Sequence, residues 1–330
     1  MRLHRFVLIV SMLTATPLTR AATIEVPKHH PTIAHAISAC FPGDTILVSK
    51  GTYPPFSLSG KSDVTIRGKG KVEIDATGQL FGVSLYQAHS AHLKNLRVEG
   101  STMAGIFVES SDAVIVEKCR VSDATGDGIG VAFGSEVALL DNRVRDVEDI
   151  GLLVAASPVA LVRGNRVQRA LIGISLHETT GTVSENRIED SEFTGIALDP
   201  SPAATLVLDN RVLGGGTGLW HFGSSSHTTI AGNRFVKPAY VGLVIDAPGN
   251  AVLENTVKKS GLVGIWVTAP EGLYSGNRVR KSAADGLHVE SIGGTYLENS
   301  VRKSGQYDLL SSVGLAKNSW IENDFGSSSP

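Results

Sequence analysis

Residues 142–176 read Asn142-Arg143-Val144, then Gly151-Leu152-Leu153-Val154, then Asn165-Arg166-Val167, then Gly173-Ile174-Ser175-Leu176. The two alternating signatures in this stretch decide the fold. A Gly followed by an aliphatic residue recurs at positions 82, 105, 128, 151, 173, 195, 218, 242, 264 and 286, always 22 to 24 residues apart. Out of phase with it runs Asn-x-(Val/Ile/Phe), from Asn142 through Asn165, Asn186, Asn210, Asn233, Asn255 and Asn277 to Asn299. A fixed period of this length marks a solenoid, in which each repeat buries its apolar face against its neighbours.

Within a period the apolar residues alternate, as in Gly105-Ile106-Phe107-Val108 and Gly195-Ile196-Ala197-Leu198. Such alternation, bounded by Gly, Ser, Asn and Asp, reads as short strands rather than helix. Two or three strands per 22-residue turn give an all-β, single-stranded parallel β-helix. About eleven coils between residues 63 and 325 would make a rod on the order of 50 Å long. The Asn is expected at a sharp corner that needs left-handed backbone, with its amide bonded to the coils above and below. Cys119 takes the Asn place in one coil. It and Cys40 are expected buried and reduced.

Residues 23–62 are expected to cap the rod. Ile33, Ala36, Ile37 and Cys40 share one helical face, which predicts a short amphipathic helix over the first coil. Residues 1–22 combine Arg2, His4 and Arg5, an apolar run from Phe6 to Leu13 and a small-residue end, the pattern of a secretory signal peptide. That run is too short to span a bilayer, and no later stretch approaches the roughly 18 apolar residues a span needs, so no membrane span is expected. Residues 326–330 are expected to form a flexible tail. A secreted or periplasmic location follows, with a monomer as the expected state.

Thr32-Ile33-x-x-Ala36-Ile37, Pro42-Gly43-Asp44-Thr45-Ile46-x-Val48 and Gly51-Thr52-Tyr53 together resemble the entry segment of the pectin-lyase-like superfamily. The resemblance implies a right-handed β-helix. It does not imply one activity, because that fold carries lyases, hydrolases, epimerases, adhesins and non-catalytic modules. The polygalacturonase trio of Asn-Thr-Asp, Asp-Asp and Gly-His-Gly is absent, as are the Arg-x-Pro-x-x-Arg stretch of pectate lyases and a clustered acidic calcium site. Asp199-Pro200-Ser201-Pro202 matches only the first half of the Asp-Pro-His-Asp motif of mannuronan epimerases.

Side chains two and four places after each Gly should face outward from one sheet. They are bland in the first half. From the fifth coil they become Ser175 and His177, Ala197 and Asp199, Trp220 and Phe222, Val244 and Asp246, Trp266 and Thr268, His288 and Glu290. Outward aromatics suit sugar rings, which stack on them. Trp220, Phe222, Trp266, His288 and Glu290 are therefore candidate substrate contacts, and an extended polysaccharide, a polyuronide among the options, is the candidate partner. Asp199 and Asp246, two coils and roughly 9.6 Å apart, approach the separation of about 6.5–9.5 Å that inverting glycosidases use. His177, one rung from Asp199, is the alternative base for proton abstraction beside a uronate carboxylate. Both Asp residues also precede turn sequences and could serve only to end strands. His221 should point inward. The competing reading is a non-catalytic periplasmic or surface scaffold.

An Arg follows the corner at positions 97, 120, 143, 166, 187, 211, 234 and 278. This column reads either as a basic stripe for an anionic glycan or, preferably, as partner to Asp141, Glu185, Asp209, Glu254 and Glu298, which precede the Asn. A net charge of −2 argues against a polyanion as a generic partner and offers nothing for nucleic acid. No Cys/His metal spacing is present and no cofactor is expected.

Overall fold

The computed structural model describes residues 21–199, 205–223 and 227–327. The expected signal peptide therefore lies almost wholly outside the described residues, as do residues 200–204 and the last three of the tail. The chain is an all-β right-handed parallel β-helix with a single α-helix, Ile33–Ala39, among the described residues. One coil shows the plan: a first strand, Val137–Leu140, a second, Arg143–Val147, and a third, Ile150–Ala155. First and second strands build a 25-stranded sheet that bends at the corner between them, and third strands build a 12-stranded sheet. Pairing between coils is parallel and, apart from one irregularity between Ser49 and Gly51, in register, for example Gly130↔Leu153↔Ser175.

Twelve rungs exceed the expected eleven because Phe56–Ser59 is a third strand without a marker Gly. Residues 23–62 hold the helix and strands of the stack: Thr23–Val26 pairs with Thr45–Tyr53, which pairs with Thr65–Asp75. The Thr32 hydroxyl caps the helix by accepting from the His35 amide at 3.1 Å. Ile33, Ala36 and Ile37 are buried against the first coil, as the spacing predicts.

The core is one continuous column of aliphatic side chains, since the inward residue of each strand stacks on its equivalent one coil away. Val144, Val167, Ile188 and Val212 form one such line, none more than 2% exposed. The marker Gly faces that line. At Gly195 an added Cβ would lie 2.5 Å from Val212 Cγ1 and 2.6 Å from the Gly218 carbonyl oxygen, so only hydrogen fits. Near the C-terminal end the core turns aromatic, with Tyr274, Tyr296 and Trp320 stacked at centroid distances of 4.7 and 4.3 Å.

The Asn ladder is present, but its Asn residues do not adopt the left-handed conformation. That role falls to the residue before each one: Asp141, Glu185, Asp209, Glu254 and Glu298 have φ between 52° and 57°. The corner turns there, which frees the Asn side chain to point inward. Asn142 receives no strain and gives full hydrogen bonding: its backbone N–H and its Nδ2 both donate to Asn165 Oδ1, at 2.8 and 3.1 Å, and Nδ2 also donates to the Val116 carbonyl at 2.8 Å. The ladder starts from Cys119, whose backbone N–H donates to Asn142 Oδ1. Both cysteines are free and buried, and burial pushes the Cys119 thiol up to about 12. No helix among the described residues is long and apolar enough to cross a membrane.

Candidate functional site

The third-strand sheet presents two outward columns. Ser175, Ala197, Trp220, Val244, Trp266 and His288 pair in strict register, one per coil. Beside them His177 pairs with Ala155. Asp199, Phe222, Asp246, Thr268 and Glu290 continue that line, each backbone N–H donating to a carbonyl of the preceding coil. All eight candidate residues of this strip therefore share one outer face.

The middle of the strip is an aromatic and aliphatic floor. Trp220 lies 5.7 Å from the Phe193 ring and 5.4 Å from that of Phe222. Trp220 and Trp266, both partly buried, pack over Val241, Val244 and Val263. The Trp266 ring stacks on His288 at 5.9 Å with planes 24° apart. A ridge of exposed apolar side chains, Leu171, Phe193, Tyr240 and Leu262, borders the floor where the chain turns into the third strand. So much apolar surface on one exposed strip is what a stacking ligand would cover.

Polar groups are distributed along the floor in three places. The His177 Nδ1 is in contact with Asp199 Oδ2. The imidazole is 47% exposed and the carboxylate 24%, so solvent and a ligand can reach the pair. Asp246 is engaged on both oxygens: Trp220 Nε1–H donates to one at 2.7 Å, and the Thr268 hydroxyl donates to the other at 2.5 Å. At the far end His288 has a carboxylate at each nitrogen, Asp285 3.4 Å from Nδ1 and Glu290 3.2 Å from Nε2. Asp199 and Asp246 lie two coils apart with Phe222 on the rung between them. The structure brings His177 to Asp199 and Asp246 to Trp220, but does not bring the two carboxylates to each other.

His221 points inward, fully buried, and burial pushes its imidazole down to about 4. The ring is neutral at physiological pH, with Nδ1 3.2 Å from the Asn250 amide. Two carboxyls on the third-strand sheet escaped the count of positions after Gly. Asp127 and Asp285 stand immediately before Gly128 and Gly286, and each accepts a backbone N–H from the next coil, of Ile150 and Tyr307. Burial, with a smaller push from Asp149, raises the Asp127 carboxyl to about 6. Their sequence signal was an Asp where the other coils carry Phe, Ala, Ile, Thr or Val before the marker Gly.

The comparisons with known proteins agree on the fold. Residues 81–235 match the family described as right handed beta helix region, and residues 176–327 match the family described as periplasmic copper-binding protein (NosD). No curated protein sequence matches the chain. The catalytic unit of a GH87 alpha-1,3-glucanase from Streptomyces thermodiastaticus superposes with a TM-score of 0.64 at 14% identity, covering 97% of this chain and 71% of that one. The periplasmic alginate epimerase AlgG, in a single-site mutant form, gives 0.60 at 12% identity over 86% of this chain and 85% of its own. PfbA, a surface adhesin of Streptococcus pneumoniae, gives 0.58 at 10% identity over 88% and 91%. The chain therefore has the pectin-lyase-like right-handed β-helix fold. As for the copper in one family's description, no group of three or more His, Cys, Asp or Glu among the described residues could hold a metal ion. The donor set of the described residues does not fit copper.

Proposed function

We propose that the protein is exported, with residues 1–22 as its signal, and binds an extended polysaccharide along the outer face of the third-strand sheet. The observation that carries this is the unbroken line Trp220, Val244, Trp266 and His288, flanked by Phe193 and Phe222 and bordered by an exposed apolar ridge. A strip running parallel to the solenoid axis suits a linear sugar chain. Two of the β-helices that superpose on this chain are, by name, a glucanase and an alginate epimerase.

Within that reading, proton abstraction next to a uronate carboxylate is favoured over hydrolysis. His177 is the base and Asp199 its positioning partner, because the carboxylate contacts Nδ1 and leaves Nε2 to take the proton. Asp246 is a poor acid or base for hydrolysis while Trp220 and Thr268 occupy both its oxygens. The proton removed leaves an enolate that either expels the glycosidic oxygen, as in a lyase, or is reprotonated from the other face, as in an epimerase. A second reading, binding without turnover, is favoured by the packing of both Trp residues against buried Val side chains.

A glycan screen of the mature protein tests this, reading unsaturated uronate ends, reducing ends and, by NMR, epimerisation. Unsaturated or epimerised product that His177→Gln abolishes supports the base assignment. Reducing ends without unsaturation would transfer the assignment to hydrolysis. Binding that Trp220→Ala weakens roughly ten-fold, with no turnover on any polymer, would establish the second reading. No binding to any glycan refutes both.

A further inference from the structure

The second-strand face differs from the other two. Its first outward column carries Arg97 through Arg234 on seven successive coils in direct register, each exposed or half-buried. Toward the C-terminus the first column keeps only Arg278, between Thr256 and Ser300, and charge is added on the next outward column, Lys258, Arg280 and Arg302, and at the adjoining corner, Lys237, Lys259, Lys281 and Lys303. The first-strand face carries no charge in its matching column from Ile115 through Leu161, Leu206 and Leu273. The net charge of −2 thus conceals a segregated distribution.

The expected carboxylate partners do not neutralise this column. Asp141, Glu185 and Asp209 occupy the left-handed corner, so the two-residue rule that would place each beside its Arg fails across the bend. Arg166 reaches Glu189 at 2.8 Å and Arg187 shares that carboxylate. Arg97, Arg120, Arg143, Arg211 and Arg234 form no ion pair among the described residues. Glu73, beside Arg97 in register, is 2.5 Å from Lys71. Rungs about 4.8 Å apart lie well inside the screening length of roughly 8 Å at physiological salt, so the repulsion persists in water. Burial, then Arg97 and Arg143, lower the Arg120 guanidinium from its ordinary value. A cleft of about 370 Å³ is lined by five cations, Lys71, Arg97, Arg120, Arg143 and Arg145, and by two carboxylates, Glu73 and Glu99. A second, of about 560 Å³, is lined by Arg280, Lys281, Arg302 and Lys303 together with Asp308, and Arg302 is paired with Asp324.

We propose that this face is a second binding surface, for a linear acidic polysaccharide laid along the solenoid axis with its anionic groups on the Arg column. Guanidinium forks pair with carboxylates or sulfates two bonds at a time, and one fork per rung matches a polymer with one charge per sugar. The exposed corner beside the column carries Asp141, Glu185 and Asp209, with Lys118, Gly164 and Gly232 on the coils between and around them. Single-stranded nucleic acid fits less well, because neither outward column between Arg97 and Arg302 offers an aromatic side chain for bases to stack on. The surface lies on a different sheet from the aromatic strip and stands whether or not that strip binds sugar.

The test is calorimetry of the mature protein with oligogalacturonate long enough to span seven rungs, about 30 Å, at low and physiological salt. The variant Arg97→Gln/Arg120→Gln/Arg143→Gln should bind at least ~10-fold more weakly, with a shallower dependence on salt. Arg163→Gln, which removes one charge from the first-strand face, should bind as the parent does. If the triple variant misfolds by circular dichroism, Arg143→Gln and Arg211→Gln replace it, with about 2- to 5-fold losses expected each. Unchanged affinity in the variants, no binding at low salt, or complete loss of binding in Trp220→Ala overturns the proposal. Tighter binding to single-stranded DNA than to oligogalacturonate at equal salt overturns it in favour of nucleic acid.

Discussion

Replacing Asn210 by Ala should cost about 3–5 kcal/mol, far more than its side-chain volume suggests. Asn210 Oδ1 accepts from the Asn186 backbone N–H at 3.0 Å and from Asn186 Nδ2 at 2.9 Å. Its Nδ2 donates to the Val183 carbonyl at 2.8 Å and to Asn233 Oδ1 at 3.0 Å. The substitution does not strand every partner equally. Asn186 Nδ2 still donates to the Val162 carbonyl, and Asn233 Oδ1 still accepts from the residue 210 backbone N–H. The Asn186 backbone N–H, however, is buried with nothing in reach, which costs roughly 1–3 kcal/mol, and the lost bonds to Val183 and Asn233 add about 1 kcal/mol each. Cys119→Ala is the internal comparison. It stands at the head of the same ladder, its sulfur lies 3.5 Å from the Glu117 carbonyl, and no ladder amide depends on it, so a loss of about 1 kcal/mol is expected. Urea unfolding followed by far-ultraviolet circular dichroism would measure both. The Asn210 variant should also lose the single transition, as its two half-rods uncouple. A loss below about 1 kcal/mol for Asn210→Ala would refute the ladder as a source of stability.

Two further outcomes follow from positions on the third-strand sheet. Asp127→Asn keeps the Ile150 N–H bond while removing a carboxyl whose folded-state pKa is raised from 3.8 to about 6. Such a group supports the fold when protonated, and that support is lost as pH rises through about 6. The variant should therefore be more stable than the parent by about 1–2 kcal/mol at pH 7, after allowing for partial solvent screening, and no more stable at pH 4. Gly195→Ala drives a methyl into Val212 and the Gly218 carbonyl, and should lower stability by about 1–3 kcal/mol or more in the same denaturation assay.

The solenoid was legible because its determinants repeat: ten marker Gly residues and a line of Asn leave few alternatives. The corner was misread for a physical reason. Asn favours left-handed backbone and also suits a ladder, and the sequence does not say which property is in use. The left-handed place is held by Asp141, Gly164, Glu185, Asp209 and Gly232, a mixture without an identity pattern. That one-residue displacement also spoiled the pairing of Asp141 with Arg143, since residues two apart share a face only where the strand is straight. On the third-strand sheet, alternation placed Trp220, Trp266 and His288 in one column. It could not show that Asp246 is held by Trp220 or that Phe222 lies between the two carboxylates, because such partners are set by rotamers and by the stagger of coils. Asp127 and Asp285 were missed because both stand before the Gly, where the chain is leaving its turn.

From Asn142 to Asn299 each Asn of the ladder donates to the Asn of the next coil and accepts from the backbone N–H of the last, so the junctions along that stretch are chemically alike. Asn142 would find in Asn186 the same acceptor it finds in Asn165. The protein is therefore a ruler graduated in units of about 22 residues. Removing or duplicating one whole unit where the aromatic strip and the Arg column overlap, as in the coil of Arg211 and Trp220, shortens or lengthens both by one place. Removing a single residue inside a coil shifts three strands out of register at once.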